Sequence, residues 1–195
     1  ITLQKTGSSE LDSGDVIFDA SGDTFAGGAG DDDYHLDEAG ETVVEYSGGG
    51  WDRVRTTVDT DLADHGQHIE TVNLKGDTAL TAAGNGTGNY VYGNSRDNTL
   101  QGRAGDDHLM GKGGADTFVF TPGTGSDIVL DWTHGTDKLD VSAFGLSGMN
   151  DLSVQEDGED LTVGLPDGNQ ITLQKTGSSE LDSGDVIFDA SGDTF

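Results

Sequence analysis

Three stretches of nine residues place glycine and aspartate at positions from which they could bind a hard metal ion. They are GGAGDDDYH (27–35), GRAGDDHLM (102–110) and GKGGADTFV (111–119), and each fits G-G-x-G-x-D-x-U-x with at most one glycine replaced, U being a large apolar residue. Glycine permits tight loops whose carbonyl groups turn inward, and the sixth-place aspartate adds a carboxylate. Ca²⁺ prefers about six to eight oxygen ligands of these two kinds. The spacing therefore predicts calcium loops.

The nine-residue period continues beyond these copies in weaker form. FDASGDTFA (18–26) keeps the sixth-place aspartate, GNGTGNYVY (84–92) and GNSRDNTLQ (93–101) have asparagine there, and SGGGWDRVR (47–55) and PGTGSDIVL (122–130) restore aspartate after one or two extra residues. Each x-U-x is expected to form a short strand with its middle side chain in the core. Two nonapeptides make one turn of about 18 residues, and stacked turns lie roughly 4.8 Å apart. Sixth-place side chains of successive turns should therefore line up.

The chain is strongly acidic, with 37 Asp and Glu against 9 Lys and Arg and a net charge of −28. This charge disfavours nucleic acid and anionic membranes as partners. No apolar run approaches the roughly 20 residues of a membrane span, so we expect no membrane insertion. The absence of cysteine excludes disulfides and thiolate metal sites. Neutralisation of the carboxylates by a cation is expected to be a condition of compact folding.

Residue patterns typical of catalysis are not recognisable, so we expect no enzyme. The sequence has no cysteine nucleophile, no G-x-S-x-G and no H-E-x-x-H. His65 and His68 form H-x-x-H without a third ligand at a recognisable spacing, and are expected to be surface loop residues. A carbohydrate-binding face would need exposed aromatic residues in a row. Trp51, Trp132 and Tyr46 are too few and too scattered to predict one.

The nonapeptides and the residues after them resemble the RTX (repeats-in-toxin) family of secreted bacterial proteases, lipases, epimerases, toxins and giant adhesins. Residues 117–145, TFVFTPGTGSDIVLDWTHGTDKLDVSAFG, are similar to the segment after the last repeats of such proteins, and residues 151–188 to their closing strands. Residues 56–83 match only as diverged filler. The resemblance implies an all-β, right-handed parallel β-roll with a short antiparallel β cap, and helix limited to one turn near 142–144. It also implies export unfolded and folding outside the cell on calcium.

The sequence ITLQKTGSSELDSGDVIFDASGDTF occupies residues 1–25 and again, without a substitution, residues 171–195. Ile171 to Gln174 should pair with the strand around Leu161 to Leu165 across a four-residue turn. The first copy either is covered by the previous unit of a tandem chain or completes a neighbouring chain head-to-tail. The family resemblance then predicts four segments: 1–18 as the tail of a preceding identical unit, 19–150 as the roll, 151–188 as the antiparallel cap, and 189–195 as the start of the next unit.

We expect a calcium-dependent structural repeat module of an extracellular or cell-surface adhesin or filament. The alternative is an accessory C-terminal module of a secreted protease, lipase or polysaccharide epimerase. The expected partners are calcium ions and neighbouring identical units. The nonapeptide frame predicts the following metal-site residues: Asp23, Gly27, Gly28, Gly30, Asp32, Asp52, Gly102, Arg103, Gly105, Asp107, Gly111, Gly114, Asp116, Gly125 and Asp127. Asn89 and Asn98 would offer a neutral oxygen and weaker sites. The resemblance alone adds Asp137 and Asp140.

Overall fold

A computed structural model describes residues 24–78, 80–177 and 180–189 of this chain. Residues 1–18, residues 190–195 and Asp23, to which the sequence assigns roles, lie outside the described residues. The strands of the described part are β1 (Thr24–Phe25), β2 (Asp33–Leu36), β3 (Thr42–Val43), β4 (Arg53–Thr56), β5 (Thr60–Asp61), β6 (Thr71–Leu74), β7 (Thr81–Ala83), β8 (Tyr90–Tyr92), β9 (Thr99–Gln101), β10 (His108–Met110), β11 (Thr117–Val119), β12 (Ser126–Val129), β13 (Lys138–Asp140), β14 (Ser153–Asp157), β15 (Asp160–Gly164), β16 (Gln170–Leu173) and β17 (Val186–Ile187).

Consecutive short strands alternate between two facing sheets. The first sheet has the order β14-β15-β16-β12-β10-β8-β6-β4-β2, and the second has the order β17-β13-β11-β9-β7-β5. β1 and β3 form a small parallel pair of their own. The chain thus winds as a parallel β-solenoid of about six turns in the described part.

The eighth-place apolar residues explain why the chain winds in this way. In β8, β9, β10 and β11 the middle side chain is buried and its neighbours are half-buried or exposed. Val91 and Leu109 from the first sheet, and Leu100 and Phe118 from the second, have no exposed surface and fill the space between the sheets. A three-residue strand can bury little apolar surface alone, so each turn needs its neighbours. The all-β parallel roll predicted from the period is confirmed.

The predicted hairpin closes the roll at its C-terminal end. β15 and β16 pair antiparallel, with Leu161 opposite Leu173, and the N–H of Leu165 donates to the carbonyl of Asn169 at 2.8 Å across the turn. β16 also pairs in parallel with β12 and so joins the cap to the roll. This confirms the pairing expected of Ile171.

The closing strand β17 differs from the antiparallel arrangement expected throughout 151–188. It pairs in parallel with β13, Val186 lying beside Leu139. The reason is burial: Val186 continues the apolar column of the second sheet across the end of the roll. The Nε1–H of Trp132 donates to the carbonyl of Glu180 at 3.3 Å and so holds the segment that leads into β17.

Helix in the described residues is confined to short 3₁₀ segments, of which three have both ends described. Ser142–Phe144 confirms the predicted turn, whereas Leu62–Asp64 and Met149–Asp151 were not predicted. None of the helices in the described ranges is long and apolar enough to cross a membrane.

Candidate metal centre

The sixth-place residues of the nonapeptides form two rows of loop side chains, one beside each sheet. The first row contains Asp32, Asp52, Asn89 and Asp107, each directly before a strand of the first sheet, and Asp127, the second residue of β12. The second row, which precedes strands of the second sheet, contains Asn98, Asp116 and Asp137. Stacking of the turns therefore aligns these predicted residues as expected.

One carboxylate oxygen links adjacent turns at Asp52, Asp107, Asp127, Asp116 and Asp137. Asp107 Oδ1 accepts the backbone N–H of Asn89 at 2.7 Å, and Asp127 Oδ1 accepts that of Asp107 at 3.0 Å. In the second row, Asp116 Oδ1 accepts the N–H of Asn98 at 2.8 Å. Each bond runs to the sixth-place residue one turn earlier. The ladder fixes the orientation of the carboxylate and directs its other oxygen into its own loop.

The second oxygen, Oδ2, lies against the first glycine of the same loop. A Cβ atom on Gly102 would overlap Asp107 Oδ2, and one on Gly111 would overlap Asp116 Oδ2. Asp52 Oδ2 and Asp107 Oδ2 are buried, and neither has a hydrogen-bond partner among the described residues. A buried anionic oxygen without a partner is costly and requires an explanation. A divalent cation bound by these oxygens supplies one, so the donor set fits calcium.

The fourth-place glycines allow successive loops to stack. Gly105, Gly114 and Gly125 have φ angles of 121°, 109° and 103°, and each lies directly against the backbone of the loop one turn earlier. The second-place residues Arg103 and Lys112 also adopt the left-handed backbone conformation, with φ angles of 77° and 76°. The Arg103 side chain pairs with Asp61. Any contribution of Arg103 to a metal site would therefore come from its backbone.

Burial raises the pKa values of the row aspartates, because the charged form loses water. It raises the pKa of Asp107 to about 7, with the charge of Asp127 adding to the effect and the hydrogen bond from Asn89 opposing it. Burial likewise raises the pKa of Asp52, Asp116 and Asp127 to about 6, and that of Asp137 to a smaller extent. Without a cation these loops therefore resist full ionisation at neutral pH.

The two asparagine loops are satisfied by hydrogen bonds alone. Asn89 Oδ1 accepts the N–H of Asn85 at 2.7 Å, and its Nδ2 donates to the carbonyl of Ile69 at 3.0 Å. Asn98 Oδ1 accepts the N–H of Asn94 at 2.7 Å in the same way. The asparagine NH₂ group donates a hydrogen bond at the place where an aspartate would have a second anionic oxygen, which would need a cation. The middle turns of the roll thus hold together without a charge to neutralise.

Two glutamates in diverged nonapeptides take the sixth place and were missed by the sequence analysis. Glu70 Oε2 accepts the N–H of Asp52 at 2.7 Å, so it continues the first row. Glu41 is buried, precedes β3 and accepts the N–H groups of Asp37 and Glu38 at 2.9 and 3.1 Å. Its Oε1 is buried without a partner among the described residues. The signal that would have found Glu70 is its position, 18 residues after Asp52.

A third glutamate, Glu45, lies outside the nonapeptide frame and joins the first row. Its carboxylate oxygen, one from Asp32 and one from Asp52 lie within 4.8 Å of one another. Glu45 also accepts a hydrogen bond from the Tyr34 hydroxyl, and burial raises its pKa to about 7, with Asp52 and Asp32 adding to the shift. Three carboxylates around one point, with Asp52 Oδ2 buried and unpartnered, form the strongest candidate cation site in the described residues.

Replacing Glu45 by glutamine tests this site. The amide keeps an acceptor for the Tyr34 hydroxyl but removes one charge, and calcium affinity depends on the number of charged ligands. We expect about one calcium ion fewer per chain in equilibrium dialysis at sub-saturating calcium. Glu38→Gln, at an exposed position, is the matched control and should bind as many ions as the parent chain. Equal stoichiometry in E45Q and E38Q would show that Glu45 is not a ligand.

The structure places Asp140 and His65 differently from what the sequence predicted. Asp140 lies in β13, where its carboxylate accepts the N–H of Ser142 at 3.0 Å, so the structure does not bring it into the row with Asp137. His65 is buried rather than at the surface, because its Nδ1 accepts the N–H of Val43 at 3.0 Å. The imidazole thus serves a structural hydrogen bond, and the expectation of a surface residue was wrong for His65. His68 is exposed, as expected.

Aspartates at the fifth place also link adjacent turns, but each accepts a hydrogen bond from the turn after it, whereas the sixth-place aspartates accept one from the turn before. Asp31 Oδ1 accepts the N–H of Trp51 at 2.8 Å, and Asp106 Oδ1 accepts that of Ser126 at 2.9 Å, one turn later in each case. They lie outside the predicted metal set. Their carboxylates stabilise the stacking of loops through backbone hydrogen bonds.

Comparison with known proteins identifies the repeat. Residues 83–118 match the family model of the RTX calcium-binding nonapeptide repeat (4 copies). No curated protein sequence matches the chain significantly. The match covers the two asparagine loops and the two adjoining aspartate loops, so calcium is the ion that these repeats bind.

Solved structures of similar shape include two from one enzyme. The AlgE6R2 subunit of the Azotobacter vinelandii mannuronan C5-epimerase is 23% identical over 90% of this chain and 98% of its own, with a TM-score of 0.42. The AlgE6R3 subunit of the same epimerase is 24% identical over 86% and 82%, with a TM-score of 0.41. Extracellular lipase LipA from Serratia marcescens is 16% identical over 92% of this chain and 41% of its own, with a TM-score of 0.41.

Proposed function

We propose that this chain, whose residues 83–118 carry the RTX calcium-binding nonapeptide repeat, is a structural repeat module of an extracellular bacterial adhesin or filament that folds on calcium binding. The observation that carries calcium-coupled folding is the set of buried carboxylate oxygens without partners, at Asp52 and Asp107, in a chain of net charge −28. Without cations, the stacked rows bring like charges together in a medium of low dielectric constant. Calcium would offset that cost only in the folded state.

The verbatim repetition supports the structural role. In the second copy, residues 171–173 of β16 and Val186 and Ile187 of β17 pair with strands at the end of the roll. Residues 1–19, identical in sequence, would close a preceding unit in the same way. Units that end and begin with the same residues suit a long tandem rod, and a head-to-tail polymer joined by strand exchange is the second way to connect them.

The competing role is an accessory module of a secreted enzyme such as a protease, lipase or polysaccharide epimerase. Its support is the resemblance of residues 117–188 to the closing region of such modules. The two roles differ in the parent protein: an adhesin would contain further near-identical units of this length, whereas an enzyme would join one or a few diverged copies to a catalytic domain. The parent coding sequence distinguishes them.

Removal of calcium tests the folding mechanism. We expect the far-ultraviolet circular dichroism spectrum of the chain in EDTA at neutral pH to be that of a coil. Calcium at roughly millimolar concentration should restore a cooperative β spectrum, whereas magnesium should not, because it requires a smaller and more regular octahedral site. A chain that keeps its β spectrum in EDTA would contradict calcium-coupled folding.

A further inference from the structure

The outer face of the first sheet presents a row of aromatic rings that the sequence alone did not reveal. Tyr90 lies beside His108 in the register of β8 and β10, and their rings stack at 4.6 Å between centroids and 14° between planes. Trp51 contacts Tyr90 edge-on at 5.7 Å, and its Nε1–H donates to the hydroxyl of Thr71 at 3.2 Å, on the intervening strand. Tyr92 stacks on Tyr90 at 6.1 Å along β8.

This aromatic row is accessible from solvent among the described residues. Trp51 is 50% exposed, and Tyr90, Tyr92 and His108 are each partly exposed. Tyr90, Tyr92 and His108 occupy seventh and ninth places of the repeats, which point away from the core, and Trp51 occupies the fifth place of its own repeat. Trp132 and Tyr46, which the sequence analysis considered with Trp51, are not part of this row; Trp51 is joined instead by Tyr90, Tyr92 and His108, which become its neighbours on stacked turns.

Cations flank the same row. Arg53 and Arg55 of β4, at the seventh and ninth places of their nonapeptide, lie two strands away from Tyr90 and Tyr92. Lys112 Nζ lies 5.8 Å from the centre of the Tyr92 ring and donates to the carbonyl of Gly93 at 2.5 Å.

A further cation, Lys75, lies close to Lys112: burial lowers the pKa of Lys112, and the positive charge of Lys75 lowers it further. Four of the nine cations of the chain are thus gathered on or beside one face, namely Arg53, Arg55, Lys75 and Lys112.

The arginines differ in how strongly a carboxylate of the chain already binds them. Arg55 makes two hydrogen bonds to Asp33, at 2.7 Å from Nε and 2.6 Å from Nη2. Arg53 Nη1 is 3.7 Å from the same carboxylate, and its side chain is 49% exposed. Asp33 is therefore satisfied mainly by Arg55. The Arg53 guanidinium can therefore bind a carboxylate of a ligand, because its fork of N–H groups can donate to both carboxylate oxygens.

We propose that this face, formed by Trp51, Tyr90, Tyr92, His108, Arg53 and Lys112, binds an acidic polysaccharide. Flat rings in a row stack on the apolar faces of sugar rings, and the adjacent guanidinium and ammonium groups bind the carboxylates that such a polymer carries at intervals. The two features occur on one face of a chain that is otherwise strongly acidic, so charge complementarity favours an anionic ligand there. At physiological ionic strength the field of the loop rows is screened beyond about 8 Å.

The test uses the calcium-loaded chain in 0.15 M salt with a short oligogalacturonate as the probe. Binding is measured by calorimetry and by Trp51 fluorescence. Trp51→Ala and Arg53→Ser should each weaken binding about tenfold, the effect of one stacking contact or one charge-assisted hydrogen bond. The matched control Arg96→Ser removes an exposed cation from a loop beside the second sheet, and should bind as the parent chain does. Unchanged calcium-induced circular dichroism shows that each variant is folded.

Two further ligands separate stacking from charge. The fully methyl-esterified oligogalacturonate has the same rings without the carboxylates and should bind at least about tenfold more weakly. Polyphosphate has charge without rings, and its weaker binding should be insensitive to Trp51→Ala. The proposal is wrong if the oligogalacturonate does not bind, if R53S and R96S reduce binding equally, or if W51A leaves it unchanged. Equal effects of the two arginine variants would indicate bridging through calcium at the acidic loops.

Discussion

Replacing Asp107 by asparagine is expected to stabilise the folded chain in the absence of calcium and to destabilise it in calcium. Burial raises the pKa of this carboxyl from 3.8 to about 7. A group whose native pKa is raised binds more protons in the folded state than in the unfolded state between about pH 4 and pH 7. The free energy of unfolding therefore falls as pH rises through that window. At pH 8 the ionised carboxylate costs the calcium-free fold at most about 4 kcal/mol, reduced by solvent screening at the loop, and asparagine would remove that cost.

Calcium reverses the sign of this effect. The Oδ2 atom of Asp107 is buried without a partner among the described residues, and in the proposed site it is a calcium ligand. An amide offers a weaker, neutral oxygen, so we expect the calcium concentration at half-folding to rise at least tenfold, equivalent to about 1.4 kcal/mol. Folding in EDTA is measured as the trimethylamine N-oxide concentration at half-folding, because this osmolyte favours burial without binding the sites.

Asp106→Asn provides the matched control for D107N. It makes the same chemical change one residue away, at an exposed carboxylate that accepts the N–H of Ser126. The control should shift neither midpoint by more than the small effect of one surface charge. At pH 5 the advantage of D107N in EDTA should shrink, since Asp107 is then largely protonated. A variant less stable than the parent in EDTA at pH 8 would contradict the account of the buried charge.

Replacing Gly125 by alanine is expected to separate two stacked loops and cost at least about 3 kcal/mol in saturating calcium. Gly125 has a φ angle of 103°, a region that alanine enters at a cost of about 1–2 kcal/mol. A Cβ atom there would also overlap the carbonyl of Gly105 on the preceding turn. Both loops belong to the first row, so their separation should also weaken calcium binding. The thermal midpoint should fall by about 10 °C for a domain of this size.

Gly123→Ala separates the steric effect from the conformational one. Gly123 has a φ angle of 86°, but a Cβ atom built on it meets nothing within 4 Å. We expect G123A to lose only the conformational cost, about 1–2 kcal/mol, with normal calcium affinity. Equal losses in the two variants would mean that the approach of neighbouring loops does not determine stability.

The nonapeptide signal predicted the parts of this protein that depend on local chemistry. Glycine at the first place and aspartate at the sixth are required within one loop, because Asp107 Oδ2 leaves no room for a Cβ at Gly102. The apolar eighth place is required within one strand. Such requirements repeat with the period itself, so the spacing alone was enough to assign Asp107 and Asp116 to two aligned rows.

The sequence could not show which residues become neighbours in space where an insertion interrupts the nine-residue period. Asp32 meets Asp52 twenty residues on, an interval that the nine-residue period does not give. Glu41 and Glu70 do keep the period, nine residues after Asp32 and 18 after Asp52, but their segments lack glycine at the first and fourth places and aspartate at the sixth, so the nonapeptide pattern does not find them. Glu45 joins a site from outside the repeat because its segment folds back beside Asp52.

The asparagine loops need no cation because they form hydrogen bonds such as that from the Asn89 amide to the carbonyl of Ile69. These bonds form only when the turns stack, so only the tertiary structure distinguishes these loops from the aspartate loops, which do need a cation. The same applies to the aromatic row, since Trp51, Tyr90 and His108 become adjacent only by winding. The sequence by itself determined the ion, the period and the core, because each is specified within nine residues. The tertiary structure decided the composition of individual sites and the outer face, because these combine residues from different turns.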